Sequence, residues 1–166
     1  MTKDGSDWKT YFDKWGPALL LFARQQTGYL TDAEDVVQEA FVKVWKKYGN
    51  HHKNTKSLLF STVRTTAIDH RRSHDRRRIR EHKLYEESGD ATWFRRNLEL
   101  AERNTLLEKA LKQLSEDQQE VVVLKVWGEL TFQEIAETLG ISNNTAASRY
   151  RYALEHLKKQ LTLSMT

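Results

Sequence analysis

Asn144, Ser148, Arg151 and Tyr152 offer an amide, a hydroxyl, a guanidinium and a phenol at helical spacing. Such groups hydrogen-bond or stack on base edges and phosphate oxygens; together they form no bond-breaking set. A merely solvated helix face would more often carry Glu and Lys pairs. A second candidate is a basic run. Arg64 to Lys83 holds eight Lys/Arg and three Asp/Glu, a surplus of five in a chain whose net charge is +4. The rest of the chain is therefore nearly neutral, and the surplus is the footprint expected of a phosphate-binding surface.

Two other chemistries are weaker. His70 and His74 are four residues apart and could meet on one helix face, as metal ligands do. No further His or Cys completes the set at a useful spacing, and the surrounding arginines disfavour a divalent cation. No nucleophile elbow, phosphate loop or paired-carboxylate site is present. The reading is therefore no enzyme, no catalytic residue, no cofactor and no metal.

The polar groups need helices to position them. In Phe132 to Leu157, Ile135, Ala136 and Leu139 share one face of a first short helix. Ala146, Tyr150, Ala153 and Leu157 share one face of a second. Gly140 can take the left-handed conformation that ends a helix, and Ser142 can cap the next one. This pattern predicts a helix-turn-helix, whose second helix usually enters the DNA major groove. The plain alternative is an αα-hairpin inside a helical core.

The other elements also read as helices. Trp8 to Thr27 places Tyr11, Trp15, Leu19 and Phe22 on one side, with Pro17 as a point of kinking or breakage. Thr31 or Asp32 opens a second helix with the stripe Val36, Val37, Ala40, Phe41, Val44 and Trp45. After the polar loop from Tyr48 to Thr55, a third helix runs from about Lys56 into the basic run. Leu84 to Ala101 reads as a linker, rich in acids and breakers. Glu102 to Leu114 and Gln118 to Trp127 add further helices before the helix-turn-helix. The expected architecture is all-α: two small helical domains joined by a flexible linker, at 1–83, 84–101 and 102–166.

Cysteine is absent, which fits a reducing cytoplasm. No apolar run approaches membrane-spanning length, so no membrane insertion is expected. Met1 to Lys14 lacks the apolar core of a signal peptide.

With these motifs in order, the chain resembles the extracytoplasmic-function (ECF) group of bacterial sigma-70-type factors. Asp32 to Trp45, DAEDVVQEAFVKVW, resembles the core of that family's second region. Val63 to Arg72, VRTTAIDHRR, resembles the end of that region, and Leu107 to Leu161 resembles the fourth. The resemblance implies a cytoplasmic factor that binds core RNA polymerase, recognises promoter DNA as duplex and as single strand, and helps melt it. Asp32, Glu34, Asp35, Gln38 and Glu39 would dock on the clamp of the largest subunit, and the fourth region on the flap of the second largest. Lys53, Asn54, Lys56, Ser57, Phe60 and Arg64 would read the minus-ten element, where stacking offsets base flipping at about 1–3 kcal/mol per base. Arg64, His70, Arg71, Arg72, Arg76, Arg77 and Arg78 would hold phosphates. Asn144, Thr145, Ser148, Arg149, Arg151 and Tyr152 would read the minus-thirty-five element. Many family members are held inactive by an anti-sigma factor, which becomes a further candidate partner.

Departures from the family pattern are specific. Leu58 stands where Trp is common, and Thr65 where Asn is. Ala147 replaces a common Lys or Arg, Gln119 a common Arg, and Ser115 a common Pro. The recognition face is thus less basic than usual, and weak binding by this domain alone is expected. The competing reading is a stand-alone helix-turn-helix regulator that binds duplex DNA tightly without polymerase.

Overall fold

The computed structural model describes the backbone of residues 3–49, 55–88 and 105–165, and side chains at 8–49, 55–72 and 109–163. Every regular element among the described residues is helical, as the sequence patterns predict. The chain divides into two compact units, Met1–Ala91 and Thr92–Thr166.

The first unit packs three helices: α1 (Lys3–Thr27), α2 (Leu30–Tyr48) and α3 (Thr55–Ser88). Proline inside a helix removes one hydrogen bond and crowds the preceding turn. Yet α1 runs unbroken through Pro17. Buried Trp15, Ala18, Leu19, Leu20 and Phe22 lie on either side of it, and that packing outweighs the local defect. Gly28, at φ 84°, turns the chain into α2 and donates its N–H to the Arg24 carbonyl at 2.7 Å.

α2 opens at Leu30, slightly ahead of the expected Thr31 or Asp32. Tyr29 is its N-cap, with extended backbone and no side-chain cap. Ala33, Val36, Val37, Ala40 and Val44 form the buried stripe. Trp45 does not join it: the ring is 52% exposed. Phe41 sits at the edge, with ring centroids 5.8 Å from Trp8 and 5.6 Å from Phe12.

α3 contributes Leu59, Phe60, Val63 and Ala67, all fully buried. Phe60 meets Phe22 edge-on at 5.9 Å. The helix continues through Ser88, so Leu84 to Ser88, expected in the linker, are helical. Glu86 and Glu87 are good helix formers, and they do not break it.

The second unit holds α4 (Thr105–Gln113), α5 (Glu116–Val122), a π-helical turn (Val123–Trp127), α6 (Phe132–Leu139) and α7 (Asn143–Met165). Its core joins Ala110, Leu114, Val122, Ala153 and Leu157, flanked by Leu111, Trp127, Tyr150 and Leu161. Ser115 and Gln118 form a reciprocal capping box at the start of α5, and Gln119 donates its side-chain amide to the Leu114 carbonyl at 2.9 Å. The two departures Ser115 and Gln119 therefore both secure the α4–α5 corner.

The segment read as one helix from Gln118 to Trp127 is thus α5 followed by a wider π turn. It ends at Gly128 and at Glu129, which is held at φ 52°. A left-handed backbone costs a non-glycine residue about 1–2 kcal/mol, and glycine at the same place forfeits part of that relief as unfolded-chain entropy. Glu129→Gly is therefore expected to stabilise the unit by about 0.5 kcal/mol. A lowered melting temperature would show that the glutamate side chain contributes more than the strain costs.

Candidate nucleic-acid interface

The turn before α7 is built from local chemistry. Thr131 and Glu134 form a second capping box that fixes the start of α6. Ile135, Ala136 and Leu139 are buried as the pattern requires. Gly140 ends α6 in the left-handed conformation, at φ 69° and ψ 38°. The Ser142 hydroxyl accepts the Thr145 N–H at 3.0 Å, and its carbonyl accepts the Ala146 N–H at 3.0 Å. Ala146, Ala153 and Leu157 are buried beneath α7, with Tyr150 half-buried.

The outward face carries Asn144, Arg151 and Tyr152, all exposed, and half-buried Ser148. The Arg151 guanidinium lies 5.2 Å from the Tyr152 ring centroid, within cation–π range. Two expected contacts are engaged elsewhere. Thr145 Oγ1 lies 2.8 Å from Ser142 Oγ, inside the cap. Arg149 turns toward α5, its guanidinium 3.8 Å from the Asp117 carboxylate. Exposed pairs of that kind contribute about 0–1 kcal/mol, so Arg149 is steered rather than locked.

The first unit's expected DNA residues divide sharply. Arg71 and Arg72 are exposed; Arg64 and His70 are half-buried. Lys56 is half-buried, with its ammonium 4.3 Å from the Trp15 ring centroid. Ser57 is only 7% exposed and Phe60 is fully buried. Both are corrections: they belong to the α1–α3 core and cannot meet a base from there. Lys53 and Asn54 lie outside the described residues. Arg76, Arg77, Arg78 and His74 lie on the backbone of α3, outside the described side chains. Thr65 is exposed, with its hydroxyl 3.1 Å from the Thr62 carbonyl.

Sequence reasoning missed a group at the end of α2. Lys43, Lys46, Lys47 and Tyr48 line a shallow groove of about 520 Å³ with Leu58 and Thr62 of α3. Lys43 donates to Thr66 Oγ1 at 3.2 Å. The i, i+3, i+4 spacing of those lysines was a legible signal.

Of the acidic edge on α2, Glu34, Asp35, Gln38 and Glu39 are exposed and Asp32 is half-buried. Glu39 lies 3.5 Å from Lys43, one turn on. Desolvation, reinforced by the neighbouring Asp35, raises the Glu34 carboxyl above its ordinary value. Glu34 therefore sheds its charge earlier than an isolated glutamate would as pH falls. Val42 and Trp45, 49% and 52% exposed, were missed as surface. They fall on one face with Asp35 and Gln38, at i, i+3, i+7 and i+10. No group of three His, Cys, Asp or Glu gathers into a metal site among the described residues. None of the described helices is long and apolar enough to cross a membrane.

Comparison with known proteins accounts for both units. Residues 11–77 match the family described as sigma-70 region 2, and residues 104–157 the family described as sigma-70, region 4. The chain is 31% identical over 144 residues to the RNA polymerase sigma-E factor of Streptomyces avermitilis, covering 87% of this chain and 79% of that protein. It is 29% identical over 161 residues to the ECF RNA polymerase sigma factor SigL of Mycobacterium tuberculosis, covering 92% and 88%. The fold resembles that of the sigma factor RpoE from Bartonella quintana, solved with the anti-sigma factor NepR. The TM-score is 0.60 and the identity 24%, over 94% of this chain and 97% of that one. It also resembles CnrH, solved with the cytosolic domain of CnrY, with TM-score 0.59 and 23% identity over 94% and 88%.

Proposed function

The chain belongs to the ECF sigma factors of the sigma-70 family, and from that premise we propose how its surfaces divide the work. It binds core RNA polymerase and directs promoter recognition, DNA melting and the start of transcription. Its contribution is binding alone, with no reaction of its own, and its place of work is the cytoplasm, where the polymerase acts.

In this reading residues 1–83 form region 2 and residues 102–166 form region 4. The connection starts later than composition implied, because α3 carries the chain through Ser88. Glu34, Asp35, Gln38 and Glu39 dock on the clamp of the largest polymerase subunit, with Asp32 at the edge. Val42 and Trp45 add apolar anchors to that surface. This exposed face is the observation that favours a polymerase partner over a stand-alone regulator, which has no need of an exposed tryptophan outside its core.

Arg64, Arg71 and Arg72, with the lysines of the α2–α3 groove, hold the melted region through phosphates. Lys53, Asn54 and the arginines from Arg76 to Arg78 are assigned to the same stretch of DNA by the family resemblance. Asn144, Ser148, Arg151 and Tyr152 read the minus-thirty-five element. Region 4 also seats on the flap of the second-largest subunit. An anti-sigma factor, like the one solved with RpoE, is a natural further partner.

A gel shift with and without core polymerase tests the reading. The chain alone should bind promoter duplex poorly, and the holoenzyme should bind it well. Tight dimeric binding by the chain alone would reject the proposal. The surfaces should also separate by mutation. Arg72→Ala should weaken all promoters alike and reduce the salt slope by about one, as loss of one phosphate contact does. Arg151→Ala should change which minus-thirty-five sequences are used, at about 1–3 kcal/mol of discrimination. The same uniform loss from both would contradict this division.

A further inference from the structure

Resting on the sigma-factor reading, we propose that Ala147 reads the 5-methyl group of a thymine in the minus-thirty-five element. Ala147 lies three residues after Asn144, four before Arg151 and next to Ser148, so it sits amid the polar groups on the outward side of α7. It is half-buried, whereas its neighbour Ala146 is fully buried in the core.

On one side of it the surface is mostly apolar. Ala147 lines an open concavity of about 470 Å³ with Phe132, Tyr150 and Leu154, edged by the charged Arg151, Glu155 and Lys158. Within that wall the Phe132 and Tyr150 rings meet edge-on at 5.7 Å. The Lys125 ammonium sits 4.6 Å from the Phe132 centroid. Leu154 is 41% exposed at the rim.

The chemistry of the major groove selects the occupant. Thymine alone among the four bases presents a methyl there, while guanine, adenine and cytosine present only donors and acceptors. A lysine, arginine or amide at this position would seek those donors and acceptors. A methyl side chain beside an apolar wall cannot, and it leaves the acceptors of guanine and adenine unpaired. Its favourable partner is a second methyl group, brought in as Asn144 and Arg151 engage neighbouring base pairs. Ala147 is thus a specificity-determining residue that acts by what it lacks.

The test uses holoenzyme and promoter fragments recovered from transcription of a genomic fragment library. Each thymidine of the minus-thirty-five region, on either strand, is replaced in turn by deoxyuridine, which removes only the methyl. One position should lose about three- to fivefold in affinity, the worth of one buried methyl. In Ala147→Ser holoenzyme, which keeps the size and the helix, that same swap should change nothing. Insensitivity at every thymidine would overturn the assignment. So would equal sensitivity in both proteins, which would mean that the methyl acts through DNA shape. A library that yields no start sites would instead bring down the sigma-factor reading, and this assignment with it.

Discussion

Phe60→Ala should destabilise the first unit by about 3–5 kcal/mol, a large part of the ~5–15 kcal/mol that holds a domain folded. The ring is fully buried and meets Phe22 edge-on at 5.9 Å. Truncation leaves a cavity between α1 and α3 and removes the aromatic pair. Phe60→Leu, which keeps most of the volume, should cost far less and leave transcription nearly intact. Denaturant titration followed by helical signal reads the first effect, and run-off transcription the second. If Phe60→Ala kept its stability but lost promoter opening, the ring would be working on a base, and the burial described here would be wrong.

Trp45→Ala should weaken association with core polymerase by about 2 kcal/mol, roughly thirtyfold, while leaving stability within about 0.5 kcal/mol. The two numbers separate because the ring is 52% exposed, outside the core of the free unit. Tryptophans that become buried on association often carry a large share of binding energy, and exposed acids at a rim carry little. Asp35→Ala should accordingly cost less than Trp45→Ala and lose its effect at high salt. Equilibrium binding of labelled chain to core enzyme measures both. Unchanged affinity in Trp45→Ala would leave α2 with only its polar edge as a docking surface. A melting temperature that fell with the affinity would return Trp45 to the core.

The helix-turn-helix was legible because its determinants are local. Gly140, Ser142 and the apolar spacing of Ala146, Ala153 and Leu157 act within a few residues of one another. The first unit was harder. Phe60 belongs with Val63 and Ala67 at i, i+3 and i+7, a core pattern that outweighs the base-reading role the family resemblance implies for it. Trp45 reads as part of a stripe by residue type. Yet Val36, Val37, Ala40 and Val44 already complete the buried side, and Trp45 turns past its edge. Arg149 could not have been placed from its own neighbourhood. Its partner Asp117 lies on another helix, brought near only by tertiary folding. α3 runs past its expected end because Glu86 and Glu87, though they sit in an acidic stretch with Ser88 and Gly89, favour helix. The lysines around the α2–α3 groove were visible by spacing at the end of α2. Their convergence on Leu58 and Thr62 appears only once α3 packs against α2.

The most direct measurement is in vitro transcription on a genomic fragment library, with core polymerase alone and with core polymerase plus this chain, sequencing the start sites. A discrete set of new starts that depend on the chain is expected. Those starts should share upstream elements at fixed separation, and they should be lost with Trp45→Ala at limiting protein concentration. Starts that are the same with and without the chain, or a chain that fails to join core enzyme at all, would contradict it.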